Sequence, residues 1–243
     1  MLFLRQNFTQ STKKLLCQVG LKANRNADKS TGGFQEAMRL KNYRRIGIDL
    51  DNTIACYEKV FEPIAIDMGL IPGRKEGWSK LQIRETLQKK GRNDLWTHLQ
   101  GEVYGPGMQR ATLFAGVREY FLEAAKRGYE VWIVSHRSRR PAIGTPHDLW
   151  LSAVQWLNTA GLLRPEGKVL RNRLLLAPTR EAKVREIIRI GCTDFIDDLP
   201  EVFSHQLFPR NIHAHLFDPA GVAPQGHWRK ARRWQELRER TLR

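Results

Sequence analysis

The sequence predicts an α/β fold, in which a mostly parallel sheet is covered by helices on both faces. Two observations predict this class: short apolar runs that each end in a polar residue, and longer segments between them whose apolar residues recur at helical spacing. Strands and helices that alternate in this way form parallel sheets, because each helix carries the chain back to the start of the next strand. The 243 residues, 41% of them hydrophobic, are enough for one large domain with a sizeable core.

Each predicted element follows from a local pattern. The first strand, 45–49, is an apolar run that ends in the polar turn 49–53. Glycines separate the helical segments that follow, and Gly128 ends the segment before the second strand. The predicted strands are 45–49, 131–135, 173–177, 194–196 and 212–217, and the predicted helices are 57–70, 76–90, 92–104, 116–127, 147–160 and 180–190.

These elements divide the chain into four segments. Residues 1–42 are basic and lack sustained periodicity, which predicts a disordered N-terminal extension; a transit peptide and an over-extended start remain open alternatives. The core domain is expected to comprise 43–56 and 114–226. The helical segments of 57–113 are expected to form a small helical cap, inserted after the first strand. Residues 227–243 form a basic C-terminal tail with helical spacing, which we expect to dock on the core.

The net charge of +16 lies mostly at the two ends of the chain. Residues 1–45 contribute +8 and residues 227–243 contribute +5, which leaves +3 for residues 46–226. We therefore do not expect nucleic acid to be the ligand of a central pocket. No window approaches 18 consecutive apolar residues, so a membrane span is not expected. Three scattered cysteines are too few for a disulfide framework, which favours a reducing, cytoplasmic location. The sequence leaves the oligomeric state open.

Polar residues at the strand ends are the candidates for chemistry. They are the Asp49-x-Asp51-x-Thr53 turn, Ser135, Lys183 near the start of a helix, and the Asp197-Asp198 pair. Each feature alone is common as a turn, a helix cap or a solvated face. In open parallel sheets, however, ligands bind beyond the carboxyl ends of the strands, where these side chains would converge.

Taken together in this order, these four features resemble the motifs of the haloacid dehalogenase (HAD) superfamily. The resemblance spans residues 44–218 and rests on the segments 46–53, 131–135 and 195–198 and on Lys183. More closely, the chain resembles a group of bacterial hydrolases of this superfamily that have no assigned substrate. The resemblance implies a Rossmann-like core, a magnesium ion and a phosphoaspartyl intermediate. The second aspartate of the first motif fits a phosphatase, because dehalogenases of the superfamily lack an acid there.

The resemblance also implies a role for each residue. Asp49 would be the nucleophile, and Asp51 would protonate the leaving oxygen and then activate water. Thr53 would orient Asp51 or cap the loop, and Ser135 would bind phosphoryl oxygens. Lys183 would offset the negative charge of Asp49 and the phosphate. Arg180, one helical turn from Lys183, is the alternative cation.

A metal ion is also implied by electrostatics, because Asp49, Asp197 and Asp198 would repel one another without a cation. Mg²⁺ prefers hard oxygen ligands of this kind. The expected direct contacts are the carboxylates of Asp49 and Asp197 and the carbonyl of Asp51, with Asp198 acting through water.

The expected function is that of a magnesium-dependent phosphohydrolase, whose substrate is a small phosphorylated metabolite such as a sugar phosphate or a nucleotide. Arg137 could bind a second anionic group of this substrate, or could lie on a solvated loop. Trp78, Trp96 and Tyr104 could contact the substrate, although packing of the cap helices is the favoured role. The alternative functions are a nucleic-acid end phosphatase, or a non-catalytic protein that binds nucleic acid or a partner through its basic tails.

Overall fold

The computed structural model describes residues 44–163 and 171–243. The predicted N-terminal extension, 1–42, lies outside the described residues. Six strands form one parallel sheet in the order β5-β4-β1-β6-β7-β8, and β2 and β3 form a separate antiparallel pair. The strands are β1 (Arg45–Ile48), β2 (Ala55–Cys56), β3 (Thr112–Leu113), β4 (Glu130–His136), β5 (Leu174–Ala177), β6 (Asp194–Asp197), β7 (His213–Phe217) and β8 (Arg229–Ala231).

Helices connect these strands, as the alternating pattern predicts. They are α1 (Phe61–Asp67), α2 (Lys80–Lys89), α3 (Asn93–Tyr104), α4 (Val117–Lys126), α5 (Leu149–Thr159), α6 (Arg180–Ile190), α7 (Pro200–Phe203) and α8 (Trp234–Thr241), with 3₁₀ turns at Pro106–Arg110 and Arg171–Arg173. Among the described residues, no helix has the length and apolar character that crossing a membrane requires. The six parallel strands and the helices that connect them confirm the α/β class with a Rossmann-like parallel sheet.

Close packing at the centre of the sheet explains the glycine in β1. Ile48, the last residue of β1, pairs with Ile133 of β4 on one side and with Ile196 of β6 on the other, so β1 ends one residue before the end of β6 and three residues before the end of β4. A Cβ atom on Gly47 would stand 2.5 Å from the ring of Phe195 and 2.9 Å from Cys192 Sγ. Only glycine leaves room for this ring, which packs beside the strand that leads into Asp49.

The segment between β2 and β3 is helical and forms an insertion after β1. Its two ends are joined by the β2–β3 pair, in which Ala55 lies opposite Leu113. Inside the insertion, Phe61 of α1 stacks on Trp96 of α3 with ring centroids 5.5 Å apart. The buried residues that share this packing are Ile64, Ile83, Leu87, Leu99 and Val103. The same buried apolar cluster contains Ile46 and Ile48 of β1, so the apolar residues of α1, α2 and α3 are continuous with the core of the sheet.

The C-terminal segment is part of the core and not a separate tail. Residues 227–243 contain the helix α8, whose Trp234 and Leu237 are buried. The sequence did not predict β8, which pairs with β7 and becomes the edge strand of the sheet. Trp234 is buried, its indole N–H donates to the carbonyl of Thr53 at 3.1 Å, and its ring lies 5.0 Å from that of Tyr120. The C-terminal helix therefore packs directly beneath the loop that follows β1.

Candidate active site

The predicted strand-end residues converge at the carboxyl edge of the sheet. Asp49 directly follows β1, which lies between β4 and β6, and its backbone N–H donates to the carbonyl of Ile196 at 2.9 Å. This bond brings the end of β1 beside Asp197, the last residue of β6. Ser135, near the end of β4, lies on the other side of β1. Parallel topology thus brings residues far apart in sequence into one site.

Lys183 lies between two buried carboxylates. Its ammonium group is 2.5 Å from Asp49 Oδ1 and 2.6 Å from Asp197 Oδ2, and all three side chains are almost inaccessible to solvent. Burial raises the pKa of Asp49 to about 7, against the opposing effect of the Lys183 charge. Burial alone would lower the pKa of Lys183, but Asp197 and Asp49 outweigh it and the pKa is raised. The ammonium therefore stays charged between its two partners.

The start of α6 determines which cation reaches the site. Thr179 caps the helix through a bond from the N–H of Ala182, and the first turn then directs Lys183 inward. Arg180 lies exposed at the mouth of the same cavity and makes no ion pair among the described residues. Of the two cations that the sequence leaves open, Lys183 is the one that contacts Asp49.

The two aspartates after β6 have different surroundings. Asp197 is fully buried, and its second oxygen, Oδ1, accepts the N–H of Leu199 at 3.0 Å. Asp198 is only partly buried, and within the described residues its one side-chain hydrogen bond comes from Thr53 Oγ1 at 3.5 Å. Burial, together with the charges of Asp49 and Asp197, raises the pKa of Asp198 well above its usual value. Asp197 is thus committed to Lys183 and the backbone, whereas Asp198 retains free acceptor capacity.

These carboxylates form the candidate metal centre. Oxygens of Asp49, Asp197 and Asp198 lie within 4.8 Å of one another. A set of hard oxygen donors with excess negative charge fits Mg²⁺ or Ca²⁺ and does not fit a soft metal. The cluster contains three carboxylates, and the ammonium of Lys183 contacts two of them.

Asp51 is held by a group of side chains that the sequence did not predict. Arg137 binds its carboxylate through Nη2 and through Nε, the latter at 3.3 Å. The hydroxyl of Tyr57 donates to Asp51 Oδ1 at 2.6 Å, and Ser135 Oγ lies 3.4 Å from Oδ2. Ser135 therefore contacts the second aspartate of the first motif, and Thr53, expected to orient Asp51, contacts Asp198.

Arg137 is buried and is not part of a solvated loop. Its Nη1 donates to the carbonyls of Tyr104 at 3.1 Å and Leu149 at 3.0 Å, and Nη2 lies 3.1 Å from the Tyr57 hydroxyl. The side chain thus links the end of β4 to the insertion and to α5. Its carboxylate partner is Asp51 of this chain, where the sequence predicts an anionic group of the substrate.

A cavity of about 620 Å³ lies above these residues, between the sheet edge and the insertion. Trp96 and Tyr104 line it, whereas Trp78 does not; the indole of Trp78 packs under the guanidinium of Arg74 at 3.8 Å. The volume suits a small molecule. The residues of the insertion that face the carboxylates are Lys80, Arg84, Trp96, Gln100 and Tyr104.

Comparison with known proteins identifies the fold. No protein-family model and no curated protein matches the sequence. Among solved structures, the magnesium-bound YfnB from Bacillus subtilis, assigned as a HAD-hydrolase, matches with a TM-score of 0.51 and 15% identity over 81% of this chain and 97% of that chain. A HAD family hydrolase from Deinococcus radiodurans R1, solved with phosphate and sodium, matches with a TM-score of 0.51 and 15% identity over 80% of this chain and 93% of that chain. The chain thus has a HAD-like fold, which is the fold that the motifs imply.

Proposed function

We propose that this protein is a magnesium-dependent phosphohydrolase that acts on a small phosphorylated metabolite through a phosphoaspartyl intermediate. The observation that carries the proposal is the placement of Asp49, 2.5 Å from the Lys183 ammonium, on the wall of a cavity that Asp51 also lines. A rigid carboxylate beside a fixed positive charge is suited to attack phosphorus, because positioning and charge neutralisation supply most of the catalysis in phosphoryl transfer.

The reaction would proceed in two steps at these side chains. First, a carboxylate oxygen of Asp49 forms a bond to phosphorus while the ester P–O bond breaks, and Asp51 gives a proton to the leaving oxygen. Asp51 then takes a proton from water, which attacks the phosphoaspartyl phosphorus and regenerates Asp49. Lys183 would stabilise the transferred negative charge throughout. Asp51 faces the cavity while Arg137 and Tyr57 donate to its carboxylate, so it is oriented as the base of the second step; as the acid of the first step it would carry a proton in place of one of these contacts.

The residues present fit a magnesium ion. We propose that the carboxylates of Asp49 and Asp198 and the carbonyl of Asp51 would hold it, because both oxygens of Asp197 already have partners in Lys183 and Leu199. This assignment exchanges the roles expected from the sequence for Asp197 and Asp198. When bound, the metal would neutralise charge on the phosphoryl oxygens.

The site favours a small substrate over a nucleic-acid end. The insertion contributes Lys80, Trp96 and Tyr104 to the wall opposite the carboxylates, so a substrate would be enclosed from two sides.

The cytoplasmic location remains a prediction.

The test is hydrolysis of a panel of phosphorylated metabolites and of 4-nitrophenyl phosphate, measured with magnesium and with a chelator. The proposal predicts phosphate release that requires magnesium and changes little with salt. A nucleic-acid end phosphatase would instead prefer an oligonucleotide 3′- or 5′-phosphate and lose affinity steeply as salt rises. Absence of hydrolysis from the whole panel would contradict the proposal.

A further inference from the structure

Lys80, the first residue of α2, carries a half-buried ammonium group that faces the active-site cavity. Its Nζ lies 3.2 Å from the hydroxyl of Tyr104 and 5.1 Å from the ring centre of Phe61. Among the residues that the structure describes, no carboxylate lies within ion-pair distance of it. The other two cations buried at this site, Lys183 and Arg137, each have a carboxylate partner.

The surroundings of the Lys80 ammonium determine whether it stays charged. Partial burial removes water from the charge, and the aromatic rings supply only weak compensation. Burial acts to lower the pKa of Lys80, but Tyr104, Asp198 and Asp51 outweigh it and the pKa is raised. The group is therefore charged at neutral pH, and its charge is felt by the carboxylates of the site although it contacts none of them.

Lys80 also marks the place where two cavities adjoin. A second cavity, of about 640 Å³, lies beside the first, and Asn52, Lys80 and Asp198 line both. A substrate whose phosphoryl group lies at Asp49 would extend past Lys80 toward this second space. The ammonium is thus placed to meet the part of the substrate that leaves, not the phosphoryl group that is transferred.

Arg84 strengthens this positive wall. It lies four residues after Lys80, on the same face of α2, and lines the same cavity. It is exposed and makes no ion pair within the described part of the chain. Two cations without carboxylate partners thus face the cavity from one helix of the insertion.

We propose that Lys80, with Arg84 beside it, binds a second anionic group of the substrate. The substrate class would then be phosphate monoesters whose leaving group carries a carboxylate or a second phosphate. This inference rests on the proposed phosphohydrolase function, and it concerns the choice of substrate and not the chemistry at Asp49. A charge-assisted hydrogen bond of this kind is expected to favour a ligand with two anionic groups over a ligand with one by about ten- to a hundredfold.

Three phosphonates that differ only in the distal group provide the test. They are propylphosphonate, 3-phosphonopropionate and ethane-1,2-bisphosphonate, titrated by calorimetry at fixed free magnesium and also measured as inhibitors of 4-nitrophenyl phosphate hydrolysis. We expect 3-phosphonopropionate or ethane-1,2-bisphosphonate, each of which carries a second anionic group, to bind at least about ten times more tightly than propylphosphonate. The stronger of the two identifies the distal group as a carboxylate or as a phosphate.

Variants then assign the preference to Lys80. Lys80→Met should remove most of it while leaving propylphosphonate affinity nearly unchanged, and Lys80→Arg should retain most of it. The matched control is Lys89→Met, which removes an exposed lysine from the last turn of the same helix, outside the cavity. Lys80→Gln replaces Lys80→Met as the test variant if the melting temperature of Lys80→Met is well below that of the wild type.

The outcomes separate this inference from the proposed function. Equal affinity for all three phosphonates, or a preference that survives in Lys80→Met and Lys80→Gln, would overturn the role of Lys80 even if phosphate esters are hydrolysed. If no ester is hydrolysed, the proposed function fails, and the calorimetric preference still decides whether Lys80 binds an anion.

Discussion

Arg137 and Asp51 form a buried ion pair in which two nitrogens of the guanidinium contact one carboxylate. The Arg137 side chain is 3% exposed and that of Asp51 is 18% exposed, and Tyr57 donates to the same carboxylate at 2.6 Å. The pair joins the loop after β1 to the end of β4, and it orients the residue proposed as the general acid. Its removal should therefore affect both stability and rate.

Arg137→Met should lower the free energy of unfolding by about 3–5 kcal/mol, because it leaves the Asp51 carboxylate without its buried partner. Tyr57→Phe should cost only about 1 kcal/mol, since one hydrogen bond is lost. Urea unfolding measures both. The control is Arg139→Met, whose exposed pair with Asp148 should contribute little. A loss for Arg137→Met no larger than that for the control would show that the pair does not stabilise the fold.

Asp51→Asn should slow hydrolysis according to the leaving group. If Asp51 donates a proton to the leaving oxygen, an alkyl phosphate should lose about 10²–10⁴ in kcat/KM, and 4-nitrophenyl phosphate, whose leaving group needs no proton, should lose much less. The comparison uses kcat/KM for both substrates at one pH and saturating magnesium, because kcat also includes hydrolysis of the phosphoaspartyl intermediate, a step that the two esters share. Equal losses on the two esters would argue against general-acid catalysis by this residue.

Lys183→Met should destabilise the protein and abolish activity, because Asp49 and Asp197 would then face each other in a buried space without a cation. The expected loss of stability in the absence of magnesium is about 3–5 kcal/mol. Arg180→Met, at the alternative position, removes an exposed charge and should change stability by about 0.5 kcal/mol or less. Similar effects of the two substitutions would mean that Lys183 has no special role.

Magnesium should raise the melting temperature of the wild-type protein, because the ion would bind the folded carboxylate cluster and not the unfolded chain. Asp198→Asn should raise the half-maximal magnesium concentration for this shift by about tenfold or more. Asp197→Asn should raise it less, since the contacts of that residue go to Lys183 and Leu199. The reverse order would restore Asp197 as the direct ligand, and no change in either variant would remove the proposed metal centre.

Most of the sheet could be predicted because its strands are apolar runs of a few residues, ending in polar ones. The exception is β8, whose residues Arg229, Lys230 and Ala231 have no such pattern. In the part of the chain that the structure describes, this strand lies at the edge of the sheet and pairs only with β7, so it needs little apolar surface. Trp234 is the residue that could have indicated a buried C-terminal segment, because it is a large aromatic side chain in a basic stretch. In the structure it packs against Tyr120.

The site residues that belong to the four motifs could be predicted from the sequence. The residues of the insertion that contact them could not. Asp49, Asp197 and Lys183 meet because topology aligns their strands and helix. The contact of Tyr57 with Asp51 depends on the exit angle of the chain after β2, which no local pattern encodes. The sequence predicts a helix over 76–90, and nothing in that pattern distinguishes Lys80; only the three-dimensional placement of α2 directs this residue toward the active-site cavity.

The most direct test of the whole account is the magnesium-dependent hydrolysis of 4-nitrophenyl phosphate by Asp49→Asn beside the wild type. The matched control is Asp67→Asn, which changes an exposed acid at the end of α1. Lys183 keeps Asp197 as a partner when Asp49 is replaced, so circular dichroism should show an intact fold. The account predicts a loss of about a thousandfold or more in kcat for Asp49→Asn and none for the control. A folded Asp49→Asn protein that retains a substantial fraction of the wild-type rate would contradict it.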